Sequence, residues 1–250
     1  MIIAWLSMLD GLLAAVILAA GVIGAHFNLA APILGFQLFL FSFVIGALAL
    51  ILGLIGLLLT RSGPRSGGRG PAKVGTFIGA AIVVPILLIV WQAMRTPYPV
   101  INDITTDYAN PPQFVKPPGI PSVNALAYNR DWFAPRQTAG YGKLEPLHMS
   151  AKPDVAFEQV KATALAQPNW QVTYIDPATG TIEGIAVSFL FRFIDDFVIQ
   201  VRPAPDGGSL IEMRSRSREG KGDFGVNYNR IVDFFATVKS RYAPAPSQAS

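Results

Sequence analysis

Cysteine is absent from the 250 residues, which excludes disulfides, Cys-ligated zinc and a thiol nucleophile but leaves the compartment open. Histidine is scarce: His26 and His148 are the only two, and only His148 lies in the polar part of the chain. Charge is scarce too, at 14% of residues against 51% hydrophobic, which is too apolar for one soluble domain and suits a membrane part plus one module. The scarcity is uneven. From Met1 to Leu59 the one charged side chain is Asp10, and from Val74 to Met94 there is none, while Arg61, Arg65, Arg69 and Lys73 crowd the stretch between. Removing these five from the totals leaves 16 basic and 15 acidic residues from Arg95 onward, so the net charge of +4 sits mainly in one short loop. A basic pI therefore gives no reason to expect a nucleic-acid partner.

What is abundant is apolar sequence. Residues 2–25, 33–59 and 74–94 form three runs, each at or above the roughly 20 residues a membrane-spanning helix needs. The first lacks the basic start of a signal peptide, and two further spans follow it. Pro32 opens the second span where its missing N–H costs little, and Pro85 is expected to kink the third. Short loops rich in Lys and Arg stay cytoplasmic, so the loop from Thr60 predicts a cytoplasmic N-terminus and a periplasmic C-terminal part at a bacterial inner membrane, with membrane lipids as first partners. Trp5, Trp91 and Tyr98 stand where interfacial anchors would. Asp10 is either a functional intramembrane acid or, if the first helix begins near it, a headgroup-level carboxylate. Gly75 and Gly79 make a GxxxG pattern suited to helix contact.

Residues 97–153 hold half of the chain's twenty prolines, interleaved with Tyr98, Tyr108, Phe114, Tyr128, Trp132, Phe133 and Tyr141. Proline disfavours helix and central strand, so an extended strap is predicted, and its aromatics argue for packing on the module or on its membrane face. Residues 153–242 become regular. A helix over Asp154–Gln167 precedes strand-like runs at Trp170–Asp176, Thr181–Phe193, Phe197–Arg202 and Ser209–Arg218, and a helix over Val226–Tyr242 follows. The expectation is an α+β two-layer sandwich, an antiparallel four-stranded sheet with two helices on one face, and a disordered tail over 243–250.

Period two along Ser209–Arg218 puts Ile211, Met213, Ser215 and Ser217 on one face and Glu212, Arg214, Arg216 and Arg218 on the other. With Gln200 and Arg202 of the preceding strand, this predicts an open polar sheet face. Its arginines are candidates for binding an anionic ligand or envelope protein, or else form solvated cross-strand ion pairs costing at most about 1 kcal/mol each to remove. Asn102, Asp103 and Asp107 form a second candidate cluster, as cation ligands or as a capped turn fastening the strap. Asp223 reads as the cap of the last helix, and Gly225 supplies its turn. Arg230 is expected to pair with Asp223 or with Asp195. Asp195 and Asp196 either point to opposite faces of a strand or open a hairpin, and no metal or cofactor is expected there.

The strand Arg214–Arg218 followed by Asp223, Phe224, Gly225, Asn227, Arg230 and Ile231 resembles the bacterial family called domain of unknown function 1499. Its hallmark is an Arg-Ser-x-Ser-Arg strand running through a D-(L/F)-G-x-N-x-x-R-I turn into the last helix. INDITTD at 101–107, with Asn110, Pro111 and Pro112, resembles the opening of the domain in members with N-terminal membrane helices. Lys221 departs from the pattern, where a Tyr or a small polar residue is usual. The resemblance implies an architecture and no activity.

No catalytic constellation stands out. Asp223-Phe224-Gly225 lacks every companion motif of a kinase, and Ser215 and Ser217 have no nearby His. The reading is a non-enzymatic module that binds an envelope component or partner protein. The alternative is an envelope hydrolase or transferase gathering Asp103, Asp107, Asp195 and Arg214 to Arg218 around an anionic substrate.

Overall fold

The computed structural model describes residues 1–61, 67–95, 98–116, 119, 124 and 127–242. The expected disordered tail over 243–250 and the loop residue Arg65 lie outside these. The chain divides into two compact units, one of Met1–Thr96 with Phe189–Arg192 and one of Pro97–Ser188 with Phe193–Ser250.

The first unit is built on α1 (Ile2–His26), α2 (Pro32–Leu59) and α3 (Arg69–Arg95), three helices long and apolar enough to cross a membrane. Pro32 occupies the first helical position of α2, and Pro85 lies inside α3. Because α1 begins at Ile2, Asp10 lies within the helix and not at its start. Small residues let the backbones approach closely. A Cβ at Gly75 would collide with Ser7 of α1, and one at Gly79 with the Gly46 carbonyl and Leu50 of α2. The Ser7 hydroxyl donates to the Ala49 carbonyl at 2.8 Å, an apt use of a polar group where water is scarce.

The second unit is α+β. Its elements are β1 (Asp103–Thr105), α4 (Arg130–Tyr141), β2 (Leu147–Met149), α5 (Pro153–Leu165), β3 (Trp170–Asp176), β4 (Thr181–Val187), β5 (Ile194–Pro203), β6 (Ser209–Ser217) and α6 (Val226–Tyr242). The sheet is antiparallel with six strands and not four, in the order β1-β6-β5-β4-β3, and β2 also pairs with β6. The two extra strands come from the strap. They divide one edge of β6 between them, β1 against 214–216 and β2 against 209–211, and so close an edge that would otherwise stay open.

The strap also contains the helix α4, contrary to the expectation of extended chain. Its cap explains why a proline-rich segment can helix. The Asn129 side chain accepts from Trp132 N at 3.1 Å, and Pro135 costs one backbone bond in the second turn. Helices α5 and α6 cover one face of the sheet, where Phe157, Val160, Phe197, Ile199, Ile211, Met213, Ile231 and Phe234 form the core. The period-two reading of β5 and β6 holds, with Phe197, Ile199, Val201, Ile211 and Met213 all in that core.

Candidate functional site

The arginine row lies on the sheet face away from the helices, as the alternation predicts, but it is not open. Arg214 is 0% exposed, and Arg216 and Arg218 are 2% exposed. The expected solvated docking face is therefore corrected. The strap covers it, and sequence alternation assigns a face without saying what lies on top. The Phe114 ring lies 5.2 Å from the Arg214 guanidinium and 5.8 Å from that of Arg216, and the Tyr128 ring lies 5.3 Å from Arg214. Burial pushes the Tyr128 phenol up.

Carboxylates meet the row from two strands. Strand β1 brings Asp103 opposite Arg216 in register, two residues along β6 from Arg214. Arg214 then grips Asp103 in a two-pronged pair, Nε to Oδ1 at 2.9 Å and Nη2 to Oδ2 at 2.7 Å. Burial pushes the Asp103 carboxyl above its ordinary range, against the pull of this fork. Asp196 on β5 takes two arginines, Arg216 Nη2 at 2.9 Å and Arg218 Nη2 at 2.5 Å.

Its neighbour Asp195 points to the opposite face, so the Asp195-Asp196 pair sits in a strand and opens no hairpin. There Asp195 accepts from Arg230 at 2.6 Å, which settles the partner of Arg230. Beneath this pair, Arg230 also donates to the Ser215 hydroxyl and to Asn227 Oδ1, while Asn227 Nδ2 donates to the Ser217 hydroxyl at 2.9 Å. Both serines thus face α6 and serve the start of that helix.

Asp223 holds the same helix end. Its Oδ2 accepts from Asn227 N at 2.8 Å and its Oδ1 from Gly225 N at 3.0 Å. Burial raises its pKa, opposed by these N–H donors. Gly225 has φ +84, and a side chain there would strike Tyr98, so the turn needs glycine twice over.

The second cluster is a fastening. Asn102 Nδ2 donates to the Gly220 carbonyl at 2.7 Å. Asp107 Oδ1 accepts from the backbone N–H of Ala109 and Asn110 at 2.8 and 3.0 Å, an Asx turn that ends β1. Arg202, at the outer end of the polar face, has a side chain 41% exposed and meets the buried Glu212 at 3.2 Å. Burial pushes Glu212 up, and Arg202 pulls it down.

Several fastening residues escaped sequence reasoning. Gln137 of α4 exchanges two hydrogen bonds with the Thr105 backbone, at 3.1 and 2.8 Å. Glu183 of β4 accepts from the backbone N–H groups of Val115 and Lys116 in the strap, and burial pushes its carboxyl up. The Asn124 carbonyl accepts from Arg216 Nη1 at 3.0 Å. The sequence signal nearest to these contacts is the set of strap aromatics, which mark a packed segment without naming its polar partners.

No curated protein and no solved structure matches the chain. The strand, turn and helix that carry this network fall inside residues 103–238, where the family described as "Protein of unknown function (DUF1499)" matches, and the chain belongs to that family.

Proposed function

We propose that the chain is a bacterial inner-membrane protein whose second unit is periplasmic and acts by binding an envelope component or partner protein, without catalysis. The location rests on loop charge. Arg61 and Arg65 lie between the second and third apolar helices, Arg69 and Lys73 lie in the first turns of the third, and the α1–α2 connection carries no Lys or Arg.

The mode of action rests on one observation: the motif arginines Arg214, Arg216, Arg218 and Arg230 are paired in the interior with Asp103, Asp196 and Asp195. A general acid or base must reach its substrate. Asp103, Asp195 and Asp196 are instead tied to arginines, and Asp107 and Asp223 are tied to backbone N–H groups. This disfavours a hydrolase or transferase built on Asp103, Asp107, Asp195 and Arg214 to Arg218, and it moves the search for a binding surface away from the arginine row.

The test is photo-crosslinking in living cells. A benzophenone amino acid is placed singly at the exposed positions Trp132, Val155 and Phe224 of the full chain. A binding module gives a discrete adduct, lipid or protein by mass spectrometry, at one or more positions. No adduct at any of them would contradict the reading.

A further inference from the structure

One cavity of the second unit has the makings of a ligand site outside the buried network. It is an open pocket of about 500 Å³ lined by Asn102, Trp132, Phe133, Arg136 and Lys221, together with Pro99 and Val100. Cavities of this size hold small ligands or headgroups. Two of its walls are cations. Among the described residues neither Lys221 nor Arg136 has a carboxylate within 4.0 Å, whereas every arginine of the neighbouring network has one. Arg136 is held in place by neutral groups, lying 3.5 Å over the Trp132 ring and donating to the Trp132 carbonyl at 2.9 Å. Trp132 itself is 48% exposed.

Cations without counter-charges, beside an exposed aromatic, complement a ligand that joins an anion to an apolar segment. We propose that this cavity binds a phosphate ester attached to an apolar or glycerol-like group, and that its source is the headgroup of an anionic lipid. Lys221 and Arg136 contact the phosphate, Asn102 borders it, and Trp132 and Phe133 receive the adjoining carbon skeleton. The lipid source is preferred because Pro99 and Val100 follow Arg95, the last residue of the third apolar helix, by only four and five positions in sequence. Val100 is also 69% exposed. Indole rings with Lys and Arg are the usual furniture of a bilayer interface. The proposal rests on the reading of the chain as a binding module and names the ligand class of that module.

The full chain, purified in an uncharged maltoside detergent, is titrated with short-chain phosphatidylglycerol, the matched phosphatidylcholine, and glycerol 3-phosphate, with bound species counted by native mass spectrometry. Phosphatidylglycerol is expected to bind more tightly than phosphatidylcholine. Lys221→Gln and Arg136→Gln should each weaken it about tenfold or more, as loss of a charged hydrogen bond implies. The double variant should abolish the preference while melting like the wild type, since both side chains are exposed. Competition by glycerol 3-phosphate at similar concentrations would support the phosphate chemistry and place its source in solution. Failure to compete would support the lipid. Equal retention of both lipids by the wild type, or undiminished phosphatidylglycerol binding by the folded double variant, would overturn the proposal. A protein adduct at the crosslinking positions would then leave the binding reading standing alone.

Discussion

Asp223 illustrates how one side chain can be assigned a task. Its two oxygens take the N–H groups of Gly225 and Asn227, while Arg230, the other plausible partner, is occupied by Asp195. Asp223→Ala leaves two buried donors without acceptors and should cost about 1–2 kcal/mol, and Asp223→Asn or Asp223→Ser should cost less because each keeps an acceptor. Denaturant unfolding of the three variants checks this, and equal losses would point to a charge interaction instead of a cap. Asn227 and Ser215 show why such roles are only half legible in a sequence. Alternation placed Ser215 on the helix side of β6, but its bonds to Asn227 and Arg230 depend on where α6 docks.

The strap is the element that decides what the sheet presents to solvent. Its proline content is legible and its destination is not, because β1 and β2 are three residues each and carry too little pattern to register as strands. Helix α4 was hidden for a related reason, since Pro135 breaks the pattern that Asn129 and Gln137 restore through contacts. Glu183 makes the strap's attachment testable by pH. Its carboxyl is raised from an ordinary 4.5 by burial. The folded chain therefore takes up this proton earlier than the unfolded one, and between 4.5 and the raised value stability falls as pH rises. Lowering the pH from 7 towards 4.5 should thus improve the wild type relative to Glu183→Gln, measured as the difference in urea midpoint. A difference that is constant, or that moves the other way, would contradict the assignment.

At the scale of the whole chain, the two halves spend their charges in opposite ways. The first unit carries few charges and gathers most of them, all basic, around the start of its third helix, and the alkaline phosphatase fusion that reads topology should be active when joined after Pro99 and inactive after Arg65. The reverse pattern would overturn the orientation. The second unit keeps its charges and buries the motif arginines. That was the largest departure from sequence expectation, because Arg214, Arg216 and Arg218 read as a solvated row until Phe114, Tyr128 and Asp103 are placed over them. A surface ion pair and a buried one differ in how they respond to losing a partner. The most direct measurement is a double-mutant cycle on the full chain in detergent, with denaturant unfolding of Asp103→Leu, Arg214→Met and the double variant. Each single change strands a buried charge and is predicted to cost about 3–5 kcal/mol, while the double variant, with no charge left to bury, should lose less than either. Single losses of at most about 1 kcal/mol, the size found for solvated pairs, would contradict the buried network and return the arginine row to the surface.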